Sequence, residues 1–114
     1  MGDERREHKR FAVKWRGRVA YGGEVMDVTI NDVSKGGVGV IFPYMLTIGT
    51  PMSVEFYVKY RGKMERIRAK TRVAFNTILS DNAGAKLGLQ FKAIAKEELH
   101  ILANVLHLLE EEGF

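Results

Sequence analysis

The sequence contains no cysteine, no apolar run long enough for a membrane helix and no glycine-rich phosphate-binding motif. Without cysteine, the chain has neither a disulfide framework nor a thiolate metal site. A membrane-spanning helix needs roughly 18 to 20 apolar residues, and no stretch approaches that length. The start, MGDERREHKR, mixes acids with bases and precedes no apolar segment, so it is not a secretory signal. We therefore expect a cytoplasmic protein with no membrane span.

Length and charge indicate one globular domain with a basic beginning. The 114 residues are 46% hydrophobic and 28% charged, an ordinary balance for a single folded domain. The net charge is +4, and residues 1–18 hold seven bases against three acids, which accounts for the whole excess. A basic block of this kind is often a solvated or nucleic-acid-seeking tail.

Alternating apolar and polar side chains predict six short strands. In the first, FAVKWRGRVAY, the large apolar residues fall on odd positions and the bases on even ones. Glycine-containing turns join the first strand to the second and the fourth to the fifth. The predicted strands are 11–21, 24–32, 38–42, 52–60, 67–75 and 87–91. Six antiparallel strands joined by turns indicate a mainly β protein with a closed or nearly closed barrel, which leaves no exposed strand edge.

The C-terminal sequence KEELHILANVLHLLEEEGF changes to a helical period. Glu97 and Glu98 lie in the predicted first turn, where the helix dipole favours acids, and Gly113 follows as a stop. The apolar side chains cover about half of the helix circumference, which is more than packing against one surface requires. Capping of the barrel is the simplest interpretation, and the surplus leaves a homodimer or partner interface open. The apolar residues are Leu99, Ile101, Leu102, Val105, Leu106, Leu108 and Leu109.

No catalytic constellation stands out in the sequence. His8 lies in the basic segment, and His100 and His107 lie seven apart, whereas helical zinc ligands use i, i+4 spacing. Ser34 has no candidate base in the local sequence, which a serine nucleophile requires. Walker and GxGxxG motifs are also absent. The sequence therefore predicts a binding protein rather than an enzyme, with no metal and no cofactor.

The basic segment contains the spacing RxxxR at Arg6 and Arg10. Arginine carries a planar fork of donors that can clamp a phosphate or lie flat on a base. The same fork fits the O6 and N7 acceptors of guanine. One side-chain type can thus hold both parts of a guanine nucleotide.

The stretch DVSKGG, residues 32–37, supplies complementary groups. The Asp32 carboxylate can accept hydrogen bonds from the N1–H and exocyclic amine of guanine, and Ser34 can donate or accept. Gly36 and Gly37 let a ligand approach the backbone with no Cβ in the way. The alternative interpretation is a turn, because Asp, Ser and Gly favour turns for backbone reasons alone.

Together the two motifs resemble the PilZ domain family, bacterial receptors for the second messenger cyclic di-GMP. The resemblance covers most of the chain. It includes the arginines and phenylalanine of RREHKRF at 5–11, DxSxxG at 32–37, the strand pattern between and after them, and Gly88-x-x-Phe91 before the helix.

The resemblance implies a six-stranded antiparallel barrel with a C-terminal helix and a flexible N-terminal arginine-rich segment. The expected division is a ligand-clamping segment over 1–10, a barrel over 11–92 and a helix over 95–112. The segment would grip the phosphates and guanines of one cyclic di-GMP or of a stacked pair, while the barrel motif receives a guanine on its other side. The expected ligand-binding residues are Arg5, Arg6, Arg10, Asp32, Ser34, Gly36 and Gly37.

Phe75 lies where some relatives place an aromatic side chain beside the ligand. The alternation of the fifth predicted strand favours a core phenylalanine instead, so Phe75 is not among the expected site residues.

A two-state switch is the mechanism that these expectations suggest. Without ligand, mutual repulsion of Arg5, Arg6 and Arg10 keeps the segment mobile, because nothing apolar there offsets the entropy of ordering. Two phosphates remove that repulsion, and the segment closes over the barrel. The new surface, or an altered C-terminal helix, then signals to a partner in trans.

Two alternatives remain open. A small barrel with basic strand faces is also typical of single-stranded nucleic-acid binders, although the resemblance gives no reason to expect DNA. The bases concerned are Lys14, Arg16, Arg18, Arg66, Arg68, Lys70 and Arg72. The other alternative is an adaptor that binds no nucleotide and acts through its C-terminal helix.

Overall fold

The computed structural model describes residues 8–112, which form six strands and one α-helix. These elements are β1 (Phe11–Tyr21), β2 (Glu24–Ser34), β3 (Gly37–Phe42), β4 (Pro51–Tyr60), β5 (Lys63–Ile78), β6 (Ala85–Ile94) and α1 (Lys96–Glu111). The strands pair antiparallel in the closed order β1-β2-β3-β6-β5-β4. The predicted six-stranded antiparallel barrel with a C-terminal helix is therefore confirmed. Arg5 and Arg6 lie outside the described residues.

One hydrophobic core fills the barrel. Strand β4 illustrates how the strands build this core. Its residues Met52, Val54, Phe56 and Val58 alternate with outward residues and are all buried. The ring of Phe56 lies at the centre, with stacked neighbours from β1 and β6 at centroid distances of 5.9 and 6.5 Å. Inward side chains from strands far apart in sequence thus fix the closure.

The hairpin loops have the backbone that two-residue turns require. Gly22 and Gly23 have φ values of 61° and 83°, and Arg61 and Gly62 have 53° and 78°. Positive φ at both central positions matches the right-handed twist of the flanking strands. These turns fix the β1–β2 and β4–β5 pairing, in which Tyr21 lies opposite Glu24 and Tyr60 opposite Lys63.

The helix α1 covers part of the core with Leu102, Val105 and Leu106, and it contacts β4 and β5. The same apolar stripe leaves Leu99 36% and Leu108 47% exposed. The surplus of apolar side chains expected from the sequence is therefore found on the surface. Within residues 8–112, no helix is both long and apolar enough to cross a membrane.

Two irregularities in strand pairing shape the outer surface. In β2, Ile30 lies opposite Val40 and Asp32 opposite Gly39, so Asn31 has no partner on β3. In β5, the pairing with β6 shifts between Val73 and Phe75. Bulges of this kind re-aim side chains that strict alternation would place elsewhere.

Candidate functional site

A row of cross-strand neighbours forms the floor of the candidate site. Asp32 on β2 lies opposite Gly39 on β3, Gly39 lies opposite Gly88 on β6, and Gly88 lies opposite Phe75 on β5. The two residues in the middle of the row have no side chain. The row therefore has an acid at one end and an aromatic residue at the other.

The glycine at position 39 is required by the side chains that cover it. A Cβ there would lie 2.8 Å from both Asp32 carboxylate oxygens and 2.9 Å from Asn31 Oδ1. The bulge at Asn31 brings these adjacent residues over the same backbone position, although adjacent strand residues ordinarily point to opposite faces.

The glycine at position 88 makes room for Phe75, because a Cβ there would overlap the aromatic ring. The expectation that Phe75 belongs to the core is wrong. Its side chain is half-buried and lies outside the core cluster. The register shift before Phe75 ends the inward alternation of β5 and places the ring on the outer face.

Arg10 spans the glycine row from one end to the other. Its Nη1 donates to Asp32 Oδ1 at 2.7 Å, and its guanidinium carbon lies 5.7 Å from the centroid of the Phe75 ring. A guanidinium near an aromatic ring gains cation–π attraction in addition to its ion pair. The side chains of Arg10 and Asp32 are only 25% and 13% exposed, so this ion pair is partly withdrawn from water.

Lys86 on β6 forms an ion pair with the other oxygen of the Asp32 carboxylate. Its Nζ lies 2.6 Å from Asp32 Oδ2, so one cation stands on each oxygen of Asp32. Sequence reasoning missed Lys86, because nothing in the local sequence marks it. The only signal was its place two residues before Gly88, which gives it the same outward direction.

Two buried polar atoms beside this carboxylate lack a hydrogen-bond partner among residues 8–112, namely Arg10 Nε and Asn31 Oδ1. An unsatisfied buried donor or acceptor costs about 1 to 3 kcal/mol. The arrangement around Asp32 is therefore electrostatically well paired but incompletely hydrogen-bonded.

The remaining residues of the DVSKGG motif form the turn from β2 to β3. Ser34 is 4% exposed, and its Oγ accepts a hydrogen bond from the Gly36 N–H at 3.0 Å. A Cβ on Gly37 would overlap the backbone carbonyl oxygen of Leu89. These contacts give Ser34 and Gly37 a role in the fold, and the Ser34 hydroxyl retains its hydrogen for donation.

The basic segment also touches the helix. Lys9 Nζ lies 3.5 Å from Glu110 Oε2, and a hollow of about 280 Å³ separates this part of α1 from His8 and Lys35. His8 also lies over Gly36, where a Cβ would come within 2.9 Å of the imidazole. Residues 8–10 therefore lie between the DVSKGG turn and the helix.

The structure thus brings most of the expected site residues to one face. Arg10 and Asp32 are in direct contact, and Ser34, Gly36 and Gly37 follow in the adjoining turn. Arg5 and Arg6 lie outside the described residues. Asn31, Gly39 and Lys86 were not found from the sequence, Phe75 was considered and assigned to the core, and Gly88 was noted only as part of the family resemblance.

The family model described as PilZ domain matches residues 4–108. No curated protein sequence matches the chain. Among solved structures, the Bacillus subtilis inhibitor of motility MotI/DgrA has a TM-score of 0.81 and 14% sequence identity. That match covers 96% of this chain and 54% of the other, so the chain spans about half the length of MotI.

Two further similar structures are complexes with cyclic di-GMP. The PilZ domain of Escherichia coli YcgR has a TM-score of 0.64 and 16% identity, with 95% of this chain and 94% of that chain covered. The Borreliella burgdorferi PlzA protein has a TM-score of 0.60 and 17% identity, with 91% and 42% covered.

Proposed function

The chain belongs to the PilZ domain family, and from this premise we propose that it is a receptor for cyclic di-GMP rather than an enzyme. The observation that carries the proposal is the contact between Arg10 and Asp32 across the glycine row. It joins residues of the two sequence motifs that lie 22 positions apart, at one partly buried point of the outer surface. Solved PilZ structures of similar fold contain the same ligand, which supports the choice of nucleotide.

The groups at this surface suit a guanine nucleotide. Asp32 supplies acceptor oxygens for the N1–H and amine of guanine, and Arg10 supplies a planar fork for a phosphate or for the O6 and N7 edge. Gly39 and Gly88 let the side chains of Asp32 and Phe75 lie close against the backbone, which keeps the surface low where a base would approach. The ring of Phe75, which lies over Gly88, offers a surface for stacking.

Ligand binding would proceed by exchange of contacts. Arg10 and Lys86 occupy both oxygens of Asp32, so a guanine received by Asp32 replaces at least one of them. The exchange is favoured because Arg10 Nε and Asn31 Oδ1 gain partners that they lack among the described residues. Arg5 and Arg6 would then close on the phosphates, as the family resemblance implies.

Closure of the N-terminal arginine segment would be recognised by a partner protein in trans. Residues 8–10 lie against α1 through the contact of Lys9 with Glu110. Reorganisation of the arginine segment therefore changes the surface beside the helix, which other molecules can read. A ligand shifts such an equilibrium only by binding one state more tightly than the other, so the segment must contact it directly. One cyclic di-GMP or a stacked pair would fit this scheme, as would a homodimer through the exposed Leu99 and Leu108.

Isothermal titration with cyclic di-GMP tests the proposal. We expect saturable binding at both of two salt concentrations, weaker at the higher one because arginines hold the phosphates, and no binding of GTP or of a short single-stranded oligonucleotide. The stoichiometry will distinguish a single ligand from a stacked pair. Failure of cyclic di-GMP to bind would reject the receptor function, and salt-sensitive binding of the oligonucleotide would favour a nucleic-acid binder.

Lys86→Met is expected to weaken cyclic di-GMP binding about three- to tenfold. When Arg10 turns from Asp32 to the ligand, Lys86 remains as the second cation beside a carboxylate that is 13% exposed. Loss of that partner makes the exchange of contacts less favourable, and titration calorimetry measures the difference. The effect is moderate because the lysine side chain is itself 30% exposed.

Lys92→Met is the matched control for this prediction. Lys92 lies on the same strand, is exposed and forms no ion pair with any of residues 8–112. We expect it to bind as the parent does. Equal binding by Lys86→Met would show that Lys86 does not support the exchange, and tighter binding would show that it masks Asp32 from the ligand.

A further inference from the structure

The outward side chains of β1, β4 and β5 form a basic wall. It combines eight exposed cations with a single carboxylate, Glu55. The cations are Lys14, Arg16, Arg18, Lys59, Arg66, Arg68, Lys70 and Arg72. The closed strand order places β4, the middle strand of this wall, across the barrel from β3 and its glycines. The basic wall is therefore separate from the candidate nucleotide site.

Most of this charge is uncompensated within the described part of the chain. Arg18 pairs with Asp27 at 3.3 Å and Arg68 pairs with Glu98 at 3.5 Å, and no other cation of the wall forms an ion pair with residues 8–112. Like charges on neighbouring strands destabilise a sheet. The fold does not need this concentration of charge, so an acidic partner is the simplest reason for it.

The basic wall differs from an ordinary solvated surface because it contains a hollow. Its volume is about 700 Å³, and it lies where β1, β4 and β5 approach the end of β6 and the start of α1. Apolar residues such as Ala20, Val25 and Ile94 line it together with three cations, Arg18, Arg68 and Lys70, and two carboxylates, Glu55 and Glu98. Val25 is 65% exposed among residues 8–112, so it offers apolar surface to a partner.

We propose that the basic wall binds an acidic amphipathic segment of a partner protein. An apolar side chain of that segment enters the hollow beside Val25, and its carboxylates lie on Lys70 and on the exposed guanidinium groups of Arg18 and Arg68, which also pair with Asp27 and Glu98. Amphipathic helices commonly dock in this way, with apolar anchors in a groove and charges at its rim.

The composition of the wall favours a protein over a nucleic acid. The one aromatic residue among the outward positions of β1 and β4 is Tyr57, and its hydroxyl donates to Glu55 at 2.9 Å. Single-stranded nucleic acids require several stacking surfaces, and this wall does not provide them.

The helix α1 connects the basic wall to the N-terminal segment. Glu98, in its first turn, accepts a hydrogen bond from the Arg68 backbone N–H at 2.6 Å. Glu110, in its last turn, meets Lys9 at 3.5 Å. The helix therefore contacts both the basic wall, through Glu98, and the N-terminal segment, through Glu110.

Fluorescence anisotropy with a designed peptide tests the proposal. The probe is a labelled helical peptide with glutamates on one face and leucines at i, i+3 and i+7 on the other. We expect it to bind at low salt and Arg18→Glu/Lys70→Glu to weaken that binding by about tenfold or more. A peptide of equal charge with serines in place of the leucines should bind at least about tenfold less tightly, because the hollow then remains unfilled.

The control variant is Lys9→Glu/Lys35→Glu, which makes the same change in net charge near the β2–β3 turn. We expect it to bind the peptide as the parent does. No binding of the leucine peptide, or equal binding by the wall variant, would overturn the proposal. So would equal binding of the serine peptide, or tighter binding of a single-stranded oligonucleotide or of phosphatidylglycerol vesicles at the same wall.

Discussion

Arg10→Ala is expected to weaken the binding of cyclic di-GMP by about 10- to 150-fold while leaving the barrel folded. Arg10 is the described residue at which the two motifs meet, since it donates to Asp32 and lies over Phe75. Its removal deletes at least one charge-assisted contact to the ligand, worth roughly 1.5 to 3 kcal/mol. The fold should survive because Lys86 still pairs with Asp32 and Arg10 precedes the first strand.

Calorimetry and thermal unfolding together check this prediction. Lys9→Ala is the matched control, because Lys9 is the preceding cation and contacts Glu110 on the helix instead of the glycine row. Arg10→Lys separates charge from shape, since lysine keeps the charge but lacks the planar fork, and it should bind with intermediate affinity. Parent-like affinity in Arg10→Ala would rule out the proposed clamp, and a large loss of stability would show that Arg10 serves the fold.

The barrel was predictable because its strands follow simple alternation. Inward residues such as Val54 and Phe56 recur at every second position, and the glycines of the hairpin loops mark where the chain reverses. The helix was equally predictable from its change of period. Its surplus of apolar residues could be counted from the sequence, but which of them stay exposed depends on the shape of the barrel end that α1 covers.

The floor of the candidate site could not be predicted in the same way. Gly39, Gly88 and Phe75 become neighbours only through the pairing of β3 with β6 and of β6 with β5. Lys86 reaches Asp32 through the same pairing. Local patterns carry no information about such register, which the whole barrel determines.

The wrong prediction for Phe75 shows how a β-bulge interrupts the alternation of inward and outward side chains. Ile67, Ala69, Thr71 and Val73 are all buried, so continuation of the same period places Phe75 inside. Val73 pairs with Leu89 and Phe75 with Gly88, which leaves Ala74 as an extra residue and turns the ring outward. The sequence offered one hint, because a glycine in a strand often marks a close approach by another group.

Gly37→Ala is expected to lower the melting temperature by roughly 10 to 20 °C. Gly37 opens β3 and pairs with Gln90, and a Cβ there would overlap the backbone carbonyl oxygen of Leu89. A backbone atom cannot rotate away as a side chain can, so β3 and β6 must separate at this end of the barrel. Overpacking of this kind lowers the free energy of unfolding by about 1 to 3 kcal/mol. We expect a loss in the upper part of that range because the Leu89 carbonyl belongs to the backbone and cannot move aside.

Gly36→Ala is the control because it adds the same methyl group at the adjacent position. The nearest atom to a Cβ there belongs to the His8 side chain, at 2.9 Å, which can move aside. We therefore expect only a small change in melting temperature. If Gly37→Ala unfolded at the parent temperature but lost affinity for cyclic di-GMP, the glycine would serve the ligand alone. If both variants lost affinity and only Gly37→Ala lost stability, the motif would combine a glycine needed for strand pairing with one needed for ligand access.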